Sequence, residues 1–289
     1  PVGTTYTWTT IGNTNLTGWS DETIAQSSIS QTLINTNNIS EQIVYVVTPQ
    51  SGVCIGSTFE VVIDVLPNPI IDVVTPSTQL LCSGDDSTPV TFGATVAGTG
   101  FEYSLTNVNI PAEITGYEAN VNGVGNLPAM TLTNGLTNPY VLNYEVLPIA
   151  EGCNGNPAQF SITINPSPQV EFSQLDQILC NNDSSDPVDL TSSTPNVIIG
   201  WTRNNPVGLT GFVIEDDPGN NQIPSYTLNY TTNSPIDLVF TAMATTDDSS
   251  SCVGSEFIYT ITINPTSEID SIANQIICSQ SAFQDVFVN

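Results

Sequence analysis

The chain has 289 residues, 28 of them acidic and only one basic (Arg203), with no histidine, so its formal net charge is −27. A nucleic-acid partner is excluded on that balance, because phosphate binding needs Lys and Arg to displace counterions, and anionic membranes are disfavoured for the same reason. Yet 39% of residues are hydrophobic and only 10% charged, a globular rather than a disordered composition.

In chain order the first signal is an aromatic strand centred on Trp8, followed by Leu16-Thr17-Gly18 and a β-branched run at 43–47. A Cys-x-Gly turn opens at Cys54, a second strand alternates apolar and polar over 59–65, and Pro67/Pro69 close the block. Gln-Leu-Leu-Cys follows at 79–82, then a strand at 90–96, an aromatic strand around Tyr103, and strands at 140–146 and 160–164 flanking a second Cys-x-Gly at Cys153. After Pro166/Pro168 the same order returns: Gln-Ile-Leu-Cys at 177–180, a short strand at 188–190, Trp201, Leu209-Thr210-Gly211, a strand at 238–242, Cys252-x-Gly, a strand at 257–263 and Pro265. Gln-Ile-Ile-Cys at 275–278 opens another turn of the cycle.

The Gln-x-x-Cys cysteines are 98 residues apart and the Cys-x-Gly cysteines 99 apart, so the chain is a tandem array. About 100 residues can close their own core, which makes the repeat a domain rather than a solenoid turn. The prolines divide the chain into a partial repeat at 1–66, whole repeats at 67–165 and 166–264, and the start of a further one at 265–289. With a first residue of proline, no signal peptide and no apolar run of about 18 residues, the chain is read as a window of a longer, exported polymer. Seven or so strands per repeat, turns every 8 to 12 residues and no helix signals predict an all-β fold of tandem immunoglobulin-like sandwiches, end to end. Trp8, Tyr103 and Trp201 are expected to be equivalent core plugs.

The order Pro-x-Pro, Gln-Ile-Leu-Cys, aromatic strand, Leu-Thr-Gly, Tyr or Phe strand, Cys-x-Gly, strand, Asn-Pro resembles the PKD-like repeats of large Bacteroidetes surface proteins, among them flavobacterial gliding adhesins. The resemblance implies type IX secretion and display as a long filament on the cell surface, attached to the outer membrane. It implies as partners neighbouring repeats of the same chain, the motility or secretion machinery, and an external surface or polysaccharide reached through regions outside this sequence. The departures are Tyr103 in place of Trp, and Asn181-Asn182 where the other copy has Ser83-Gly84.

Catalytic sets are hard to assemble here. Without His or Lys there is no nucleophile–base pair and no Schiff base, and the carboxylate pairs Asp85/Asp86, Asp216/Asp217 and Asp247/Asp248 lie in turns at unequal positions. No enzyme is expected, and no cofactor beyond calcium, for which Asp85, Asp86, Asp183 and Asp186 are the candidates. Solvated turn residues capping backbone N–H groups are the favoured reading of those acids. Ser87 and Ser271 fit an Asp-Ser/Thr-apolar O-glycosylation pattern.

The six cysteines, two per repeat and none in Cys-x-x-Cys, point to disulfides of an exported protein. Three schemes stay open: within the repeat (Cys82 with Cys153, Cys180 with Cys252, leaving Cys54 and Cys278 to partners elsewhere), across each proline joint (Cys54 with Cys82), or from the first strand of one repeat to the turn of the next (Cys82 with Cys252). The first is favoured because it makes each repeat self-contained, although the two cysteines of a repeat tend to sit at opposite ends of a sandwich. The chain is read as a stalk segment of an extracellular adhesin; the alternative is a set of accessory modules in a carbohydrate-binding or polysaccharide-processing protein.

Overall fold

The computed structural model describes residues 3–118, 123–212, 221–267, 274–282 and 285. Among them there are strands and turns and no helix. The chain divides into two compact units, 1–166 and 167–289.

In the first unit, β1 (Thr5–Ile11), β2 (Leu16–Thr17), β3 (Glu22–Gln26), β4 (Ile34–Asn35), β5 (Glu41–Ser51), β6 (Cys54–Ile55) and β7 (Phe59–Val65) follow one another. β5 is the central strand: β1 pairs with one edge, β7 and the short β6 with the other, all antiparallel, and β3 adds outside β1. Its inward residues alternate, as a one-faced sheet demands, and Ile43, Tyr45 and Val47 are buried with Trp8 and Leu16. The buried Tyr45 hydroxyl donates to Gln31 Oε1 at 2.7 Å, which settles the one polar atom that the ring carries into the core.

The next copy in this unit is fuller. It runs through β8 (Ile71–Thr75), β9 (Thr78–Cys82), β10 (Thr91–Ala94), β11 (Gly100–Leu105), β12 (Ile114–Thr115), β13 (Gly123–Val124), β14 (Thr133–Asn134), β15 (Tyr140–Ala150), β16 (Cys153–Asn154) and β17 (Ala158–Asn165). One sheet has the order β13-β11-β15-β17-β9 with β16 on β15; the facing layer is built from the pairs β8/β10 and β12/β14. Between them lie Val90, Tyr103, Leu127, Leu132, Leu142, Tyr144, Phe160, Ile162 and Ile164, with Phe160 stacked on Tyr144 at 5.1 Å between ring centroids. Truncating any of these large side chains to Ala costs about 2–5 kcal/mol.

The second unit repeats the plan in β18 (Glu171–Phe172), β19 (Gln177–Cys180), β20 (Val188–Thr191), β21 (Val197–Arg203), β22 (Leu209–Thr210), β23 (Gln222–Ile223), β24 (Asn229–Tyr230), β25 (Ile236–Thr246) and β26 (Phe257–Asn264). Its main sheet has the order β19-β26-β25-β21, and β18-β20-β23 and β22/β24 face it across Trp201, Leu238, Phe240, Tyr259, Ile261 and Ile263. This is a tandem immunoglobulin-like β-sandwich protein.

The aromatic plugs are equivalent, as expected. Trp8 stands opposite Val47, Tyr103 opposite Val146 and Trp201 opposite Ala242, each on the same rung of its sheet, and all three rings are buried. The Leu-Thr-Gly motif proves to have a third copy, Ile114-Thr115-Gly116, disguised by one substitution. Its glycine is required: Gly18, Gly116 and Gly211 all have positive φ, and a Cβ there would lie 1.9 Å from the carbonyl oxygen of Thr32, Thr131 or Thr227.

Candidate functional site: the end strands and joints of the repeats

The recurring motifs converge on two features. The first is a pair of strands at the two chain ends of each full repeat. β9 lies parallel to β17 in five residue pairs from Ser161/Thr78 to Asn165/Cys82, and β19 lies parallel to β26 in four from Ile261/Gln177 to Asn264/Cys180. The ladder continues one residue further, where Ser83 donates to Asn165 O at 2.9 Å and Asn181 to Asn264 O at 3.0 Å.

The motif residues hold this strand in place. Gln79 Oε1 accepts from Thr88 N at 2.7 Å while its Nε2 donates to Thr88 O at 2.9 Å. Gln177 repeats the fork on Asp186, at 2.9 and 3.1 Å, and its Nε2 also donates to the buried Tyr259 hydroxyl at 2.6 Å. Burial pushes that phenol up from its ordinary pKa, and the Gln177 bond counters part of the effect. Asp85 and Asp183 close the turn after the cysteine: Oδ2 of each accepts the cysteine N–H at 3.1 Å.

The calcium candidates lie in and just after this turn. Asp85 and Asp183 are true equivalents, but Asp86 stands where Ser184 does, facing Thr131 as Ser184 faces Thr227, and Asp186 stands where Thr88 does. Asp86 and Asp186 therefore hold different positions in the two repeats. No three His, Cys, Asp or Glu side chains converge among the described residues. Asp248 is likewise a turn cap: the Ser250 hydroxyl, the N–H groups of Ser250 and Ser251 and the Thr246 hydroxyl all point at Oδ1 and hold its pKa below the ordinary carboxylate value. Asp216 and Asp217 lie outside the described residues.

The glycosylation expectation fails at Ser87. Its side chain is 3% exposed and its Oγ accepts from Met130 N at 2.9 Å, so a glycan has no room. Ser185 does the same for Tyr226 N in the next repeat, which makes this serine an internal brace. Ser271 lies outside the described residues.

The second feature is the joint. In Cys-x-Gly the glycine N–H donates across its hairpin, Gly155 to Pro148 O at 2.9 Å and Gly254 to Ala244 O at 2.8 Å. A Cβ on Gly155 would lie 1.8 Å from Pro69 O, and one on Gly254 1.8 Å from Pro168 O. The second proline of each Pro-x-Pro is thus seated on the Cys-x-Gly turn of the repeat that follows it. Proline fixes its own φ and biases the residue before it toward extended backbone. Beside the first joint, Asn35, Thr36, Asn37, Asn38, Asn68, Pro69, Ile70 and Asn156 line a cleft of about 190 Å³ with no titratable group. Asn35 is one of its walls and also a strut, donating from Nδ2 to Ile39 O and Val65 O, as Asn134 does to Asn138 O and Ile164 O.

Cys82 and Cys252 are disulfide-bonded, whereas Cys54, Cys153, Cys180 and Cys278 are free. Pairing within the repeat, the favoured scheme, is corrected, since Cys153 and Cys180 are both thiols. The reason is distance. Cys82 lies beside Asn165, while Cys153 pairs with Ala150 past the other end of β17; the seven residue steps from Ala158 to Asn165 span about 23 Å. Cys180 and Cys252 are separated in the same way along β26. Pairing across the joint fails too, because the free Cys54 and Cys82 each lie at the end of their own repeat remote from Pro67 and Pro69.

Several solved structures align with the chain at low identity. Titin domains I67–I69, as an E-to-A variant, align over 92% of this chain and 89% of that one with a TM-score of 0.42 and 10% identity. Mouse cadherin-23 EC22–24 aligns over 90% and 86%, with a TM-score of 0.34 and 14% identity. The human desmocollin-1 ectodomain aligns over 92% of this chain and 55% of that one, at 0.36 and 12%. No curated protein matches the chain. The PKD-like domain model matches residues 1–69 and 74–168, more than half of the length, and the chain belongs to that family.

Proposed function

We propose that the chain is a force-carrying stalk segment of an extracellular, cell-surface protein. The observation that carries this reading is the parallel pairing of the end strands, β9 on β17 and β19 on β26. Tension between successive joints pulls one strand of each pair toward the N-terminus and the other toward the C-terminus. Because the strands are parallel, that load runs along them and strains every rung together, whereas a peeling load breaks rungs one at a time. A surface of Thr, Ser and Asn with no lysine suits exposure to proteases, and a disulfide suits an oxidising compartment. The resemblance to gliding adhesins supports a finer reading, in which type IX secretion delivers the stalk to the outer membrane and it holds a binding tip away from the cell.

Pulling single chains by their ends, under reducing conditions, tests this. Each full repeat should unfold in one abrupt, high-force event that releases roughly 300 Å of chain. Gradual extension at low force without discrete events would refute a mechanical role.

A further inference from the structure

The outward face of the second unit's main sheet departs from its counterparts. Trp201, Phe240 and Tyr259 point into the core, so their strand neighbours Thr202, Thr241 and Ile258 share one outward rung. The matching rung is Thr9, Val46 and Glu60 in the first sheet and Ser104, Glu145 and Gln159 in the next. Of the three, the rung in the second unit alone lacks a carboxylate. On the next outward rung Gly200 pairs with Met243, where Thr7 pairs with Thr48 and Glu102 with Leu147. Ile258, Ile198 and Met243 on this face are 64%, 52% and 40% exposed, in a chain whose net charge is −27.

Gly200 is an independent sign. It lies inside β21 without a positive φ, and a Cβ on it would meet nothing within 4 Å among the described residues. Neither the backbone nor the packing of this chain therefore calls for glycine there. Glycine inside a strand weakens it and marks a place where another backbone comes close. Met243, beside it on the same rung, is an exposed and flexible side chain of the kind that fills such a gap. Hole and knob sit side by side on one face.

We propose that this face binds the same face of a second copy of the chain, as a two-fold pair. A two-fold axis parallel to the strands and midway between β21 and β25 sets Met243 of each copy into the gap at Gly200 of the other, and Thr202 over Thr241. Charge favours the same partner. A basic surface would seek carboxylates, which these rungs of β21 and β25 lack; two copies, each at −27, meet best where neither presents one. The contact is small, so pairing is weak and needs high concentration.

Sedimentation equilibrium of the full chain tests this, with the free thiols alkylated so that no intermolecular disulfide can form. The parent should rise toward twice the mass of one chain as concentration approaches ~1 mM, and no further. Thr241→Glu brings to the contact the residue type of Glu145, and Gly200→Thr fills the gap with that of Thr7 without adding charge. Each type already stands on the matching rung of another sheet of this chain, so the fold accepts it. Both variants should keep the parent's circular dichroism and stay at the mass of one chain. A parent that remains monomeric at ~1 mM, assembly beyond a pair, or either variant pairing as the parent does would overturn the proposal.

Discussion

Replacing Gly155 by alanine tests the joint at its tightest point. The added Cβ would lie 1.8 Å from Pro69 O, 2.9 Å from the Pro69 carbonyl carbon and 2.8 Å from Pro148 Cγ. Ordinary contact begins near 3.4 Å, so the turn and the proline must separate by about 1.6 Å, and the obstacle is backbone on a residue whose φ is fixed. Overpacking of this kind costs about 1–3 kcal/mol, and loss of the Gly155 N–H bond to Pro148 O adds about 1, giving about 2–4 kcal/mol. Gly56 supplies the control: it holds the same place in its turn, but the nearest atoms to a Cβ there are Pro49 Cγ at 3.0 Å, Pro49 O at 3.6 Å and Pro49 Cβ at 3.8 Å. Denaturant unfolding followed by tyrosine and tryptophan fluorescence should show the transition of the Gly155→Ala chain moved to lower denaturant, and that of Gly56→Ala nearly unchanged. Equal stability of the two variants would refute the seating of the proline on the turn.

The Gln177→Ala variant should lose about 2 kcal/mol, because two bonds to Asp186 and one to Tyr259 go together and leave a buried hydroxyl short of a partner; chemical denaturation of the second unit measures it. Alkylation without reductant should label Cys54, Cys153, Cys180 and Cys278 and spare Cys82 and Cys252, and all six should react after reduction; peptide mass mapping reads the pattern. Donors from Asn37, Asn15 and Asn13 hold the Glu41 carboxyl below its ordinary pKa of 4.5. A depressed folded value stabilises the fold above the unfolded pKa and loses that contribution as pH falls through the folded value. The gap in melting temperature between the parent chain and Glu41→Ala should therefore be widest near neutral pH and close below the folded pKa.

Much of this architecture was legible because period and alternation report the sheet directly. The strands at 59–65 and 257–263 recur as β7 and β26 because hydrophobic alternation at period two is the sheet's own geometry. The aromatic plugs were legible for the same reason, as one large ring per repeat at a near-constant distance from Cys-x-Gly. What sequence pattern misread were residues whose partners lie far along the chain. Ser87 looks like a surface serine until Met130 N is found bonded to it, and Asp86 and Asp186 look alike until their cross-strand neighbours separate them. Ile114-Thr115-Gly116 is hidden at the level of letters, because the motif's requirement is a glycine at positive φ beneath a carbonyl rather than a leucine two residues before it. Cysteine pairing failed as an argument from self-containment, because strand length, not repeat membership, decides which sulfurs can meet.

The central claim, that the end strands of a repeat resist tension in shear, is tested most directly by changing only the direction of pull on the repeat bounded by Pro67 and Pro166. Handles at Asn68 and Ser167 load β9 and β17 along their length, whereas handles at Gly84 and Pro166 pull the same two strands apart from the end where Cys82 meets Asn165. The account predicts a rupture force several-fold higher in the first geometry than in the second. Equal forces in the two directions would contradict it.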